Sequence, residues 1–156
     1  MKATSYLDPA LTGTPLGTAT VTIEREPLRL FAAATGQTRP VYTDLDAALA
    51  AGHPDLPVPP TYLSGLGFSQ PEWFARLSEW GVDLGLVLHA EQRFDYHAPA
   101  HAGDTLVFEG RVGEIYTKKG GALEFLRREI SVRHQDGRRA AEIGSLLAIR
   151  HPEVTA

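Results

Sequence analysis

The chain has 156 residues, of which 43% are hydrophobic and 22% charged, with a formal charge of −4; these values suit one soluble domain able to bury its own core. The mild acidity gives no electrostatic reason to expect nucleic acid or an anionic membrane as partner. The absence of cysteine excludes disulfides, thiolate nucleophiles and Cys-ligated zinc or iron–sulfur centres.

No apolar run approaches the roughly 20 residues needed to span a bilayer, and the N-terminus lacks the apolar core of a signal peptide. A cytoplasmic protein with a single domain over residues 1–156 is therefore expected, the Thr-, Pro- and Gly-rich residues 1–17 forming an irregular lead-in. TATVTIE then sets Ala19, Val21 and Ile23 against polar neighbours, which is a strand pattern. Pro27 stands where a first helical turn tolerates it, and LRLFAAAT continues as a helix until Gly36 stops it. Asp44 is placed to cap a second helix, LDAALAA, closed by Gly52.

HPDLPVPP is too rich in proline to lie inside a helix. The following TYLSGLGF carries Ser64, Gly65 and Gly67, a costly choice for a helix. Such small residues fit either close packing against a neighbour or space left for a substrate tail. Ser69 and Glu72 match a capping box for a third helix whose Trp73, Phe74 and Leu77, with Trp80, are expected to pack.

From residue 86 the period becomes two. LVLHAEQRFDYH places Leu88, Ala90, Phe94 and Tyr96 on one face and His89, Glu91, Arg93, Asp95 and His97 on the other. TLVFEGRVGEIY alternates Leu106, Phe108 and Val112. LEFLRREISV begins with Leu123 and Phe125 inward and shifts to Ile130 and Val132, which implies a bulge. AAEIGSLLAI is apolar on both faces and reads as a central strand. A helix cluster followed by antiparallel strands is an α+β layout, with the sheet wrapped about a helix.

The loop after the first helix reads Gly36-Gln37-Thr38-Arg39-Pro40-Val41-Tyr42-Thr43-Asp44. It resembles the G-D-x-N-P-[LIV]-H-x-D loop of the MaoC-like dehydratases and R-specific enoyl hydratases, matching at Gly36, Pro40, Val41 and Asp44. FDYHAPAHAGDTL resembles that family's strand and G-D turn, and the likeness spans roughly residues 18 to 150. It implies a hotdog fold of the N-terminal dehydratase type. It also implies an acyl thioester of coenzyme A or acyl carrier protein as ligand, with no cofactor and no metal, and a dimer of like or unlike chains.

The resemblance makes the departures informative. Family members move water across a double bond with an Asp and a His, and a backbone N–H at the start of the central helix holds the enolate-like oxygen. Here the Asp position is Gln37, the His position is Tyr42, and Pro60 stands where a glycine would supply the amide. Gln has no titratable proton, tyrosine titrates near 10, and proline has no N–H. The expectation is therefore a subunit with a degenerate dyad, which holds the acyl thioester while a partner chain supplies catalysis. Arg39, Thr61 and Tyr62 are the candidate substrate contacts, and Asp44 and His97 the candidate replacement catalysts.

Simpler readings stand beside these. Gln37 and Tyr42 can be ordinary loop residues, Arg39 a solvated cation and Asp44 only a cap. His89 and His97 with Glu91, Arg93 and Asp95 can form a charged network, a metal site or a solvated sheet face, while His53 and His101 show no ligand spacing. The alternatives to a degenerate subunit are an active hydratase using replacement residues, a hotdog thioesterase and an acyl-thioester-binding module. A thioesterase lacks its usual acid on TYLSGLGF.

Overall fold

In the computed structural model, which describes residues 6–68 and 71–154, five antiparallel strands form one sheet in the order β1-β3-β4-β5-β2. Strand β1 (Pro15–Thr22) begins three residues ahead of the TATVTIE pattern, after a 3-10 turn at Pro9–Leu11 capped by Asp8. Helices α1 (Arg25–Ala34), α2 (Leu45–Ala50), α3 (Tyr62–Phe68) and α4 (Pro71–Glu79) follow. Strands β2 (Val87–Tyr96), β3 (Thr105–Lys118), β4 (Leu123–His134) and β5 (Arg139–Arg150) complete the chain. The capping box expected at Ser69 and Glu72 lies outside the residues whose side chains are described.

Alternation builds the core as expected. Leu106 and Phe108 from β3, Ile130 and Val132 from β4 and Ile143 from β5 meet Leu28 of α1, Ala48 of α2 and Leu63 of α3 in one cluster. A second cluster joins Trp73 and Leu77 of α4 to Val112, Leu126, Leu147 and Ile149. Each large side chain removed from water contributes about 1.5–3 kcal/mol. Strand β5, flanked by β4 and β2, is buried on both faces except at its ends and at Glu142.

Two strand readings need correction. In β2 the register shifts between His89 and Glu91, so Ala90 is an extra, bulged residue. His89, Gln92, Phe94 and Tyr96 therefore share a face, and Leu88 is turned outward with 55% of its surface exposed. In β4 the alternation is unbroken: Glu124, Leu126, Arg128, Ile130, Val132 and His134 are all buried. The shift lies instead in β3, between Val112 and Ile115.

The inner face of β4 defeats a purely apolar reading because its polar residues have partners. Glu124 accepts from the Leu7 amide at 2.9 Å and faces His151 at 3.2 Å. Arg128 lies 5.2 Å from the centre of the Trp73 ring, and burial pushes its guanidinium down to about 10, still charged at neutral pH.

Candidate functional site

The loop after α1 is shaped by its own backbone. Thr35 Oγ1 donates to the Phe31 carbonyl, Gly36 takes φ +68°, and the Gln37 amide returns to the Ala32 carbonyl at 2.8 Å. That left-handed residue is where glycine is favoured. A 3-10 turn at Pro40–Tyr42 then leads to Asp44, whose Oδ1 accepts from the Ala47 amide at 2.9 Å and caps α2. The Arg29 side chain pins the loop from α1 by donating to the Thr43 carbonyl at 2.9 Å.

The candidate side chains of this loop are turned to local tasks. Gln37 Oε1 accepts from the Arg39 amide at 3.1 Å, a short side-chain turn. The exposed Arg39 guanidinium lies 5.9 Å from the centre of the half-buried Tyr42 ring. In this arrangement Gln37 and Asp44 each hold a backbone amide.

The start of α3 forms the second wall. Pro60 presents no amide; Thr61 follows at φ +71° and its N–H donates to Tyr96 Oη at 3.0 Å. A β-branched residue at positive φ is strained, and here the hydrogen bond from β2 supports it. Thr61→Gly is therefore expected to be neutral or to stabilise by up to about 1 kcal/mol, opposite to the usual cost of glycine. Thermal unfolding of the variant checks this, and a loss above about 1 kcal/mol would count against the strain. The Tyr62 ring packs edge-on against Phe31 at 5.2 Å, and burial, with the charge of Glu24 adding, raises its phenol above the usual range. Tyr62 is thus protonated at neutral pH and can act as a donor but not as a base.

A cavity of about 430 Å³ opens between α3, α4 and the edge of the sheet. Ser64, Trp73, Phe74, Leu84, Val87 and Leu147 line it, with His89 and Gln92 at one side. Gln92 is held there: its amide donates to the Gly144 carbonyl at 3.2 Å and its Oε1 accepts from Ser145 at 2.9 Å. His89 Nε2 lies 3.2 Å from the same oxygen, so that nitrogen carries the proton. Of the small residues of α3, Ser64 lines this cavity and Gly65 is exposed. A side chain at Gly65 would meet nothing within 4 Å, so this position leaves space and is not pressed against a neighbour. Phe74, expected to pack, is 46% exposed and lines the opening, whereas Trp73 is buried edge-on to Trp80 at 6.1 Å.

His97 is on the opposite side of the sheet. With Arg93, Asp95, Arg111, Glu129, Arg139 and Glu142 it lines a polar groove of about 860 Å³. The charges there are paired: Arg93–Asp95 at 3.1 Å, Arg111–Glu129 at 2.6 Å and Arg139–Glu142 at 3.0 Å. Among the described residues no three acidic or imidazole groups are placed to hold a metal ion.

The sequence places Tyr96 on the face of Phe94 without marking a role for it, and the bulge at Ala90 is what brings His89 onto the same face as Gln92. His53 and His101, unremarkable in sequence, meet at 3.1 Å.

The comparisons with known proteins agree with this geometry. Residues 10–143 match the model of the FAS1-like dehydratase domain region. A UPF0336 protein of Streptomyces coelicolor is 35% identical over 113 residues, covering 72% of this chain and 75% of its own length. The HadBC (3R-hydroxyacyl-ACP dehydratase) complex of Mycobacterium tuberculosis contains a chain that superposes with a TM-score of 0.76 at 24% identity, covering 88% of this chain and 96% of its own. A protein described as a MaoC-like dehydratase gives a TM-score of 0.81 at 20% identity over 92% of this chain and 43% of its own. Helix cluster, antiparallel sheet and loop frame thus agree with the family match: the hotdog fold is shared with these dehydratase structures, and the chain belongs to the family of the FAS1-like dehydratase domain region.

Proposed function

We propose that this chain is the substrate-holding subunit of an acyl-thioester hydratase or dehydratase, bound to a partner that carries the Asp and His. The observation that carries the reading is the internal engagement of the site. The Thr61 amide, nearest to the lost oxyanion donor, is taken by Tyr96; Asp44 caps α2; and Gln37 folds onto its own loop. A general base needs a free lone pair of suitable pKa within reach of the proton, and an oxyanion donor needs an N–H aimed at the developing charge. The loop retains the family's frame without these groups.

Binding is supported by the cavity beside α3. Its walls are mainly apolar, as acyl-group sites are, with a few fixed polar groups at one side. Pairing is supported by β2, an edge strand that leaves Leu88 and Tyr96 more than half exposed. An open edge of this kind is a template for another chain. The related solved structure is itself a complex, HadBC. The ligand is an acyl thioester on coenzyme A or acyl carrier protein, and no further cofactor is proposed.

The test is calorimetric titration of the purified chain with crotonyl-CoA and longer acyl-CoAs, beside a hydration assay. Saturable binding with negligible hydration is expected. Robust turnover by the chain alone, unchanged in Tyr42→Phe, would overturn the subunit reading, and absence of binding at millimolar acyl-CoA would overturn the holding role.

A further inference from the structure

At the approach to α3, His101 and His134 face one carboxylate, Asp104, and His53 joins them through His101. His53 follows α2, and its Nδ1 lies 3.1 Å from Nε2 of His101, which sits between β2 and β3. The His101 amide donates to Asp104 Oδ2 at 2.9 Å, and the ring's other nitrogen is 3.9 Å from that oxygen. His134, at the end of β4, brings its Nδ1 to 3.6 Å from the same atom. Asp55, on the segment carrying His53, is committed to Arg25 of α1 at 2.7 Å, and that hydrogen bond holds its carboxyl below the usual range. Asp104 is thus left as the carboxylate facing the His101 and His134 rings.

The same segment is laced to the turn by its backbone. Val58 N–H donates to the Ala100 carbonyl at 2.8 Å, and Ala102 N–H donates to the Leu56 carbonyl at 2.9 Å. Beyond Val58 come Pro59, Pro60 and Thr61, so whatever fixes residues 53–58 also sets the start of α3.

We propose that His53 and His101 form a proton-sensitive clasp on the segment that leads into α3, joined at neutral pH and released in mild acid. A hydrogen bond between two ring nitrogens needs one protonated and one bare nitrogen. Neutral rings satisfy this, and so does a pair sharing one proton. When both rings are charged, both nitrogens are donors and the cations repel; protonated His134 adds to the repulsion and Asp104 compensates one charge only.

Burial, the largest influence, favours the neutral form of His101 and lowers it below its ordinary value. Asp104 and Asp55 oppose that shift, while His53 and His134 reinforce it. The sign of the linkage follows. The unfolded chain binds the proton more readily, so the contribution of His101 to stability is complete above about pH 6.5 and is lost as pH falls from there toward the lowered folded value.

Amide exchange of the full chain tests the clasp independently of any ligand, so its failure would leave the acyl-binding reading untouched. Corrected for intrinsic rate, protection at Val58 and Ala102 is expected to fall about tenfold or more between about pH 7.5 and 5.5, while Ile130 in the β3–β4–β5 ladder keeps its protection. His53→Gln, which keeps a hydrogen-bonding group but cannot charge, is expected to reduce that loss below about threefold. A loss below about threefold in the unmodified chain, or an undiminished loss in His53→Gln, would overturn the proposal. Nitrogen-15 titration of the unmodified chain gives a second reading: linked titration of the two rings supports the clasp, and independent titration at ordinary histidine values refutes it.

Discussion

Glu124→Ala is expected to lower the free energy of unfolding by about 2–6 kcal/mol, about 1–3 kcal/mol for each of the two buried groups it leaves without a partner. Glu124 and His151 are each about 1% exposed. One carboxylate oxygen accepts from the Leu7 amide at 2.9 Å, and the other faces His151 Nε2 at 3.2 Å. Alanine would strand both donors in the interior. The damage would also spread along the chain. The Tyr6 ring stacks on His151 at 4.1 Å, and its hydroxyl donates to the Gly121 carbonyl at 2.9 Å, so this one carboxylate organises both ends of the described chain. Glu124→Gln keeps an acceptor for Leu7 and a polar partner for His151, and a loss of only about 1–2 kcal/mol is expected. Urea midpoints with unchanged slope would give both values. Equal losses in the two variants would show that the pair matters only for its shape.

The second large effect concerns catalysis. On the proposed reading, Gln37→Asp with Tyr42→His returns an acid–base pair to an intact loop frame, and such groups contribute about 10²–10⁴-fold when positioned. The double variant is nevertheless expected to remain about 10²–10³-fold below its ceiling, because Pro60 still supplies no amide and Thr61 donates to Tyr96. Adding Pro60→Gly is expected to recover most of that factor in the hydration rate. A double variant already at full rate, unaffected by Pro60→Gly, would show that the missing amide is irrelevant.

The parts of this molecule legible in sequence are those fixed by local chemistry. Asp44 caps α2, Gly36 and Gly52 take positive φ where helices stop, and Leu106, Phe108 and Val112 bury one face of β3. Each needs only its near neighbours along the chain. What stayed hidden depends on distant partners or on a change of register. The polar residues Glu124 and Arg128 point inward because His151, Leu7 and Trp73 wait there, and none of these is adjacent in sequence. Ala90 breaks the alternation of β2 by one residue, which moves Leu88 out and brings His89 to Gln92's face. The small residues of α3 allowed either tight packing or open space, and only the fold shows that Gly65 is exposed with nothing within 4 Å of a side chain there. The loop itself was legible as a frame with altered chemical groups. That Gln37 turns back on Arg39 and Thr61 is engaged by Tyr96 needed the folded geometry.

The most direct test of the central claim is reconstitution. The chain would be mixed with a hotdog partner carrying an intact G-D-x-N-P-x-H loop, and hydration of crotonyl-thioester measured for each alone and for the complex. The account predicts a stable complex in which activity requires the partner's Asp and His and is unchanged by Tyr42→Phe here. Full turnover by this chain alone, with no partner present, would contradict it.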